Sequence, residues 1–276
     1  MKGFVIICLM SLMSLTGEVC GQTDVRVDDE VGGRLTFGLN KRVSKGLHVC
    51  WEEAVWFDGN LSSFDRLQST LSVRYKVLPW LKVGVGYSLI NGYEGSSFNP
   101  PRHRLMADVT GSYQVGDWQF SLRERVQMTH RTDSYNEWQT PGNAWMLKSR
   151  LKVTYKAFRR WEPYGTFEVR NTLNAPVVKA TYNETTGIWV SSETGLAANE
   201  AGWFLDGFNS VYVNRLRGTL GVSYRINRGS VIDVCLMGDF MTEKKVDANA
   251  KGTKLKAYTR ETNFVGWLAV EYSYMF

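Results

Sequence analysis

Residues 264–276 alternate without interruption. Phe264, Gly266, Leu268, Val270, Tyr272, Tyr274 and Phe276 fall on one face of an extended chain, and Val265, Trp267, Ala269, Glu271, Ser273 and Met275 fall on the other. Successive side chains of a strand point to opposite faces, so this is a strand with one apolar, aromatic face, and its last residue is a phenylalanine. A soluble fold has little reason to place a terminal carboxylate beside a buried apolar face. The closing strand of a transmembrane β-barrel has one, because its outer face meets lipid. Tyr272, Tyr274 and Phe276 also have the spacing that barrel-assembly machinery reads as its signal.

The same pattern recurs along the chain. Leu71, Val73, Tyr75, Val77; Val109, Gly111, Tyr113, Val115; Leu151, Val153, Tyr155, Ala157; and Leu220, Val222, Tyr224, Ile226 are each apolar on alternate residues with tyrosine near the end. A tight turn follows each: Leu78-Pro79, Gly116-Asp117, residues 158–161, and residues 227–230. Trp80, Trp118 and Trp161 then open the returning strand. Tyrosine before a turn and tryptophan after it make an aromatic belt at one membrane surface. The opposite connections, near 58–65, 91–102, 131–144, 174–209 and 243–262, are long and polar. Short turns at one end and long loops at the other are the periplasmic and extracellular ends of a bacterial barrel.

These signals predict an all-β, transmembrane, antiparallel up-and-down barrel. Strands are expected near 33–43, 47–57, 65–77, 81–90, 103–115, 118–130, 145–156, 162–173, 210–226, 231–242 and 263–276. That is eleven, and single-chain bacterial barrels have even counts. Twelve strands are expected, with an ascending strand within residues 22–31; the alternative is ten, with one end left outside the wall.

Composition fits once the pattern is known. A barrel spreads apolar residues over one face of each strand, so a mean hydropathy of -0.26 is no objection. The N-terminus reads as an export signal over residues 1–21: Lys2 is the charged part, Phe4 to Leu15 the apolar core, and Val19 and Gly21 the small residues before cleavage at Gln22. Residues 22–276 are then one barrel domain in the outer membrane. Cys20 lacks the flanking residues of a lipid-attachment site, with Gly17 and Glu18 where leucine-like and small residues belong. Cys50 and Cys235 fall on different, distant strands and are expected to be unpaired thiols packed inside the barrel.

The succession Trp80-Leu-Lys-Val-Gly-Val-Gly-Tyr87, Arg102-His-Arg-Leu105, Ser121-Leu-Arg-Glu-Arg125, Lys148-Ser-Arg-Leu-Lys-Val-Thr-Tyr155, Pro163-Tyr-Gly-Thr-Phe-Glu168 and Glu271-Tyr-Ser-Tyr-Met-Phe276 resembles a Gram-negative outer-membrane barrel family. That family is known only by the domain-of-unknown-function number 2490. The resemblance runs in order through nearly all of residues 22–276, and Trp51-Glu52-Glu53 fits its acidic second strand; residues 174–209 are less regular. It implies a fold and a location, and it supplies no catalytic residues.

Parity then assigns the charges. With Leu, Val and Tyr toward lipid, the lumen receives Arg66, Arg74, Lys76, Lys82, Arg104, Arg123, Arg125, Lys148, Arg150, Lys152, Lys156, Arg170, Arg215, Arg217 and Arg225. Against these fifteen bases stand Glu52, Asp108, Glu168, Asp233, Asp239 and Glu271, an excess of about nine positive charges. Such a lumen either fills a narrow barrel with paired charges or favours the passage or binding of small anions. A closed structural barrel, or one that binds lipopolysaccharide through the basic segment 243–262, is the alternative. Residues 174–209, acidic and aromatic, either fold inward and constrict the lumen or form an exposed surface loop. The partners implied are outer-membrane lipid, lipopolysaccharide and the assembly machinery; nucleic acid is excluded by export and the barrel pattern.

Enzyme chemistry has one weak foothold. An acyl hydrolase needs a histidine base near a serine and an orienting group, and only His130, with Ser134 and Asn136 after it, offers such a set. It lies largely in a loop, so no catalytic residue is assigned, and no metal or cofactor motif is present. Parity aims Glu53 and Glu124 at lipid, as expected of a local bulge or of residues near the membrane interface.

Overall fold

A computed structural model describes residues 25–276, with side chains from Val31 onward; the expected signal segment and Cys20 lie outside them. Fourteen strands follow one another: β1 (Val25–Ser44), β2 (Leu47–Asp58), β3 (Ser63–Leu78), β4 (Leu81–Glu94), β5 (Ser97–Phe98), β6 (Arg102–Val115), β7 (Trp118–Arg131), β8 (Asn143–Tyr155), β9 (Trp161–Val178), β10 (Ala180–Asn183), β11 (Ile188–Ser191), β12 (Leu205–Arg225), β13 (Ser230–Ala248) and β14 (Leu255–Met275).

Each wall strand pairs with its sequence neighbour, and β1 pairs with β14, so β1–β4, β6–β9 and β12–β14 close an eleven-stranded barrel. Closure satisfies every edge, which a wall in lipid requires. β5 adds two residues to the upper end of β4, as the twelfth strand of the sheet, and β10–β11 is a separate hairpin.

The twelfth strand is therefore not where the sequence placed it. Residues 25–31 continue β1 past a register shift between Val27 and Val31 instead of forming an ascending strand of their own. The pair Gly32-Gly33 lies within β1. A Cβ on Gly32 would meet the Trp267 ring at 2.2 Å, so glycine serves close approach there. With an odd count, β1 and β14 run the same way, in register from Val31 opposite Gly266 to Asn40 opposite Met275.

The expected turns are all present at one end, where Gly46 and Gly116 adopt positive φ. The belt is there too: Trp118 packs on Tyr155 (centroids 4.7 Å) and Trp161 on Tyr224 (4.4 Å). The outer face above it carries exposed Leu71, Val73, Val85, Leu105, Val109, Leu220 and Leu236. A hollow of about 600 Å³ on this face lies over Gly165, Gly218 and Gly238, between Phe167, Leu220 and Leu236.

At the other end two expectations change. Much of residues 243–262 is strand, because β13 and β14 stay paired to Ala248 opposite Leu255. Residues 174–209 do not form an inward plug. β9 extends to Val178, β10–β11 is a hairpin, and Phe204 is fully buried against Val246, Ala248 and Leu255 of the β13–β14 tip, with Trp138, Trp189 and Trp203 around it. The β7–β8 loop joins this cap: Asn136 donates to the carbonyls of Ala248 and Asn249, and Gln139 to Asp247 and Ala248. Lys179 bridges Glu193 (3.6 Å) and Asp206 (2.9 Å), and the hydrogen bond it donates to Asp206 raises the ammonium pKa.

Candidate functional site: a charged lumen

Cross-strand register sets the inward charges in rungs. On four adjacent strands Arg125 (β7) faces Lys148 (β8), Lys148 faces Arg170 (β9), and Arg170 faces Arg215 (β12). The rung below runs Arg123, Arg150, Glu168, Arg217 and Asp239 across β7, β8, β9, β12 and β13. Alternation brings these residues inward because their neighbours Glu124, Leu147, Ser149, Leu151, Phe167, Val169 and Leu216 take the outer face.

Carboxylates neutralise only part of the set. Asp108 pairs with Arg125 at 2.7 Å. Glu168 lies 2.8 Å from Arg215 and reaches Arg123 at 3.6 Å. Asp239 takes both ends of the Arg217 fork, with Arg215 3.7 Å away. Those three acids pair with four of the seven bases in the two rungs. Among the described residues Lys148, Arg150 and Arg170 have no carboxylate at ion-pair distance, and neither does Arg104 on β6. Arg170 donates to Asn214 Oδ1 (2.7 Å) and Arg104 to Thr129 Oγ1 (3.1 Å). Asn214 is available because a register shift in β12 between Val213 and Arg215 turns it inward.

Little space is left at these rungs: Asp239 is 1% exposed, Glu168 6%, Arg215 9% and Gln127 2%. Side chains just fill barrels of about eight strands, so at eleven strands it is the long arginine and lysine side chains that occupy these levels. Toward the short-turn end, Arg74 pairs with Glu52 at 2.8 Å and is more open. There Tyr164 and Ser223 both donate to Asp233, and Lys152 Nζ sits 3.7 Å above the Tyr164 ring.

The wall formed by β13, β14, β1 and β2 is different. Cys235, Met237, Val265, Trp267 and Ala269 form a buried apolar cluster with Trp56, Tyr164 and Met241 against it. Cys50 and Cys235 are both buried and free. The sequence had placed most lumen bases but not Arg34, Trp56 or Trp267 as site residues. Continuing the parity of Leu35, Phe37 and Leu39 along β1 finds Arg34.

A family model for a protein of unknown function, DUF2490, matches residues 35–250. The chain belongs to that family. No curated protein matches its sequence. Among solved structures it is similar to the NanC porin, at 10% identity and a TM-score of 0.41, over 85% of this chain and 95% of that one. It is also similar to OmpT, an outer membrane protein of Vibrio cholerae, at 13% identity and 0.33, over 84% and 62%.

In this DUF2490 protein the remaining candidates are separated. His130 Nδ1 lies 2.8 Å from Asn143 Oδ1 on the outer face, while the Asn136 side chain is spent on the cap. His103 meets the Tyr87 hydroxyl at 2.6 Å. Glu53 and Glu124 do face outward, and each accepts from a serine directly across: Ser69 to Glu53 at 2.7 Å and Ser149 to Glu124 at 2.6 Å. Neither position is a bulge. Among the described residues no group of three metal-ligating side chains occurs. The outward row Tyr272, Tyr274 joins β1, where Tyr272 stacks on Phe37, and Phe276 N donates to Asn40 O at 3.0 Å.

Proposed function

We propose that the protein is an outer-membrane barrel whose lumen binds small anions and passes them slowly. One observation carries the reading: in the two rungs on β7, β8, β9 and β12, seven bases stand against the three carboxylates Asp108, Glu168 and Asp239. Buried charge without a partner is costly, so the surplus at Lys148, Arg150 and Arg170 is a standing demand for an anion from solution. The C-terminal row Tyr272, Tyr274 and Phe276 serves the assembly machinery, and the aromatic belt lies at the periplasmic surface. The reading is non-enzymatic, in keeping with His130 being engaged by Asn143.

The test is ion conductance of the purified, folded protein in a planar bilayer under a salt gradient. Discrete events with anion preference are expected, weakened by Lys148→Gln and Arg170→Gln. Cation preference rejects the reading. The filled interior favours a second reading, a closed structural barrel, and silence from a verified folded protein selects it. The basic segment 243–262 adds less for lipopolysaccharide than its composition suggests, because Lys245 lies 2.7 Å from Glu261 and Lys256 3.6 Å from Asp247.

A further inference from the structure

The apolar wall carries its own pair of arginines. Arg34 on β1 faces Trp56 on β2, and Trp56 faces Arg66 on β3, so the three form one inward rung. Both guanidinium groups lie over the Trp56 ring, Arg34 at 5.3 Å and Arg66 at 4.7 Å from its centroid. Trp267, 8% exposed, meets Trp56 edge to face at 5.3 Å. Trp56 is near the long-loop end of β2, and Arg66 is near that end of β3.

What is missing from this cluster is an acceptor. The indole N–H groups of Trp56 and Trp267 and the Nε–H of Arg34 are buried and unpartnered. Arg66 Nε has the Asp65 carboxylate at 3.0 Å but without hydrogen-bond alignment. Arg34 has no carboxylate at ion-pair distance among the described residues. Unmatched buried donors are uncommon in folded proteins, and three such N–H groups with two guanidinium groups gathered around one tryptophan describe the complement of an anion. The surroundings narrow its class. Inorganic phosphate or chloride can use the N–H donors but gains nothing from the ring faces and the apolar cluster beside them, whereas a flat unsaturated body also gains aromatic contact. β8, with Lys148 and Arg150, is five strands away from β1 one way round and six the other, so this aromatic wall faces the cationic one across the lumen.

We infer that Arg34, Trp56, Arg66 and Trp267 form a recognition site for aromatic carboxylates near the long-loop mouth. The carboxylate takes the Arg34 and indole donors, and the ring lies against Trp56 and Trp267. The inference rests on the lumen being accessible to anions, and it names the kind of anion.

The test is binding of benzoate to the purified folded barrel by calorimetry at fixed ionic strength, with acetate and neutral benzamide as comparisons. Benzoate is expected to bind roughly tenfold more tightly than acetate, and benzamide more weakly than benzoate by a similar factor, as one charge-assisted hydrogen bond implies. Arg34→Gln and Trp56→Leu should each weaken benzoate roughly tenfold. Trp56→Phe, which keeps a ring and guards against a folding defect in the leucine variant, should weaken it less than Trp56→Leu does. Glu124→Gln, on the outer face and still able to accept from Ser149, should leave benzoate binding unchanged. Equal affinity for acetate and benzoate, or parental binding in Arg34→Gln and Trp56→Leu, overturns the site. Absence of benzoate binding by a barrel that still shows anion preference set by Lys148 and Arg170 overturns this inference and leaves the pathway standing. Absence of both overturns both.

Discussion

Two ion pairs in the same lumen should respond very differently to loss of charge. Asp239 is 1% exposed and takes both ends of the Arg217 fork, with Arg215 3.7 Å away. Asp239→Asn keeps the shape and removes the charge, leaving two guanidinium groups to share only Glu168 in a region already short of acid. Removing one partner of a buried pair costs about 3–5 kcal/mol, because the other charge stays buried. Glu52 and Arg74 have side chains 38% and 44% exposed. Solvent screens that pair, so Glu52→Gln should cost no more than about 1 kcal/mol. The assay is reversible denaturant unfolding in phospholipid vesicles, with folding followed by tryptophan emission. At about 3 kcal/mol, Asp239→Asn shifts the unfolding equilibrium more than a hundredfold, while Glu52→Gln moves it less than tenfold. The two variants costing the same, or Asp239→Asn lying within about 1 kcal/mol of the parent, would refute the account of a filled, charge-strained interior.

Other consequences are local. Glu124→Lys places a base mid-strand on the outer face and should cost about 2–4 kcal/mol by the same unfolding assay, while Glu124→Gln, which still accepts from Ser149, should cost much less. Phe204→Ala should open the cap, seen as faster proteolysis within residues 184–200, without changing ion selectivity, because Phe204 packs on the β13–β14 tip and not on lumen side chains. Cys50 and Cys235 are buried and free. A maleimide should therefore label neither in the folded barrel and both after unfolding; a disulfide detected under non-reducing conditions would contradict the structure.

The period-two pattern is strongest where one face meets lipid, and there the sequence located the strands to within a few residues. It also turned Arg125, Lys148, Arg170 and Arg215 inward, since parity alone decides that. The pattern fades where a strand leaves the membrane. Just beyond Thr242 the residues Glu243, Lys244 and Lys245 are polar on both faces, so the segment reads as loop although it is paired. Pairing across strands distant in sequence was also hidden. Parity showed that Arg66 points inward, but only the register of β1, β2 and β3 shows that it shares Trp56 with Arg34. The cap was hidden for a similar reason: Phe204, Trp138 and Val246 come from three segments, and nothing local to residues 174–209 says that they pack on the hairpin rather than down the lumen.

The seam offers the sharpest test of the fold. An even barrel closes with antiparallel neighbours; eleven strands force β1 and β14 to run together. The two cases differ in arithmetic as well as direction. In the parallel seam Leu35 faces Val270 and Leu39 faces Tyr274, so partners advance together. In an antiparallel seam that kept Leu35 opposite Val270, Leu39 would instead lie opposite Gly266. Neighbouring strands are about 4.8 Å apart, within the range a disulfide bridges. In a background with Cys50 and Cys235 replaced by serine, Leu35→Cys with Val270→Cys should cross-link, and so should Leu39→Cys with Tyr274→Cys. Leu39→Cys with Gly266→Cys should not. Cross-linking of that last pair, with none at 39 and 274, would show an antiparallel seam, and with it a missing wall strand. A parallel seam is also somewhat weaker per residue than the antiparallel pairs around it. The cross-linked Leu35/Val270 barrel should resist unfolding more than one cross-linked at Leu71 and Tyr87 on β3 and β4, because it both closes a far longer loop and ties the weaker seam.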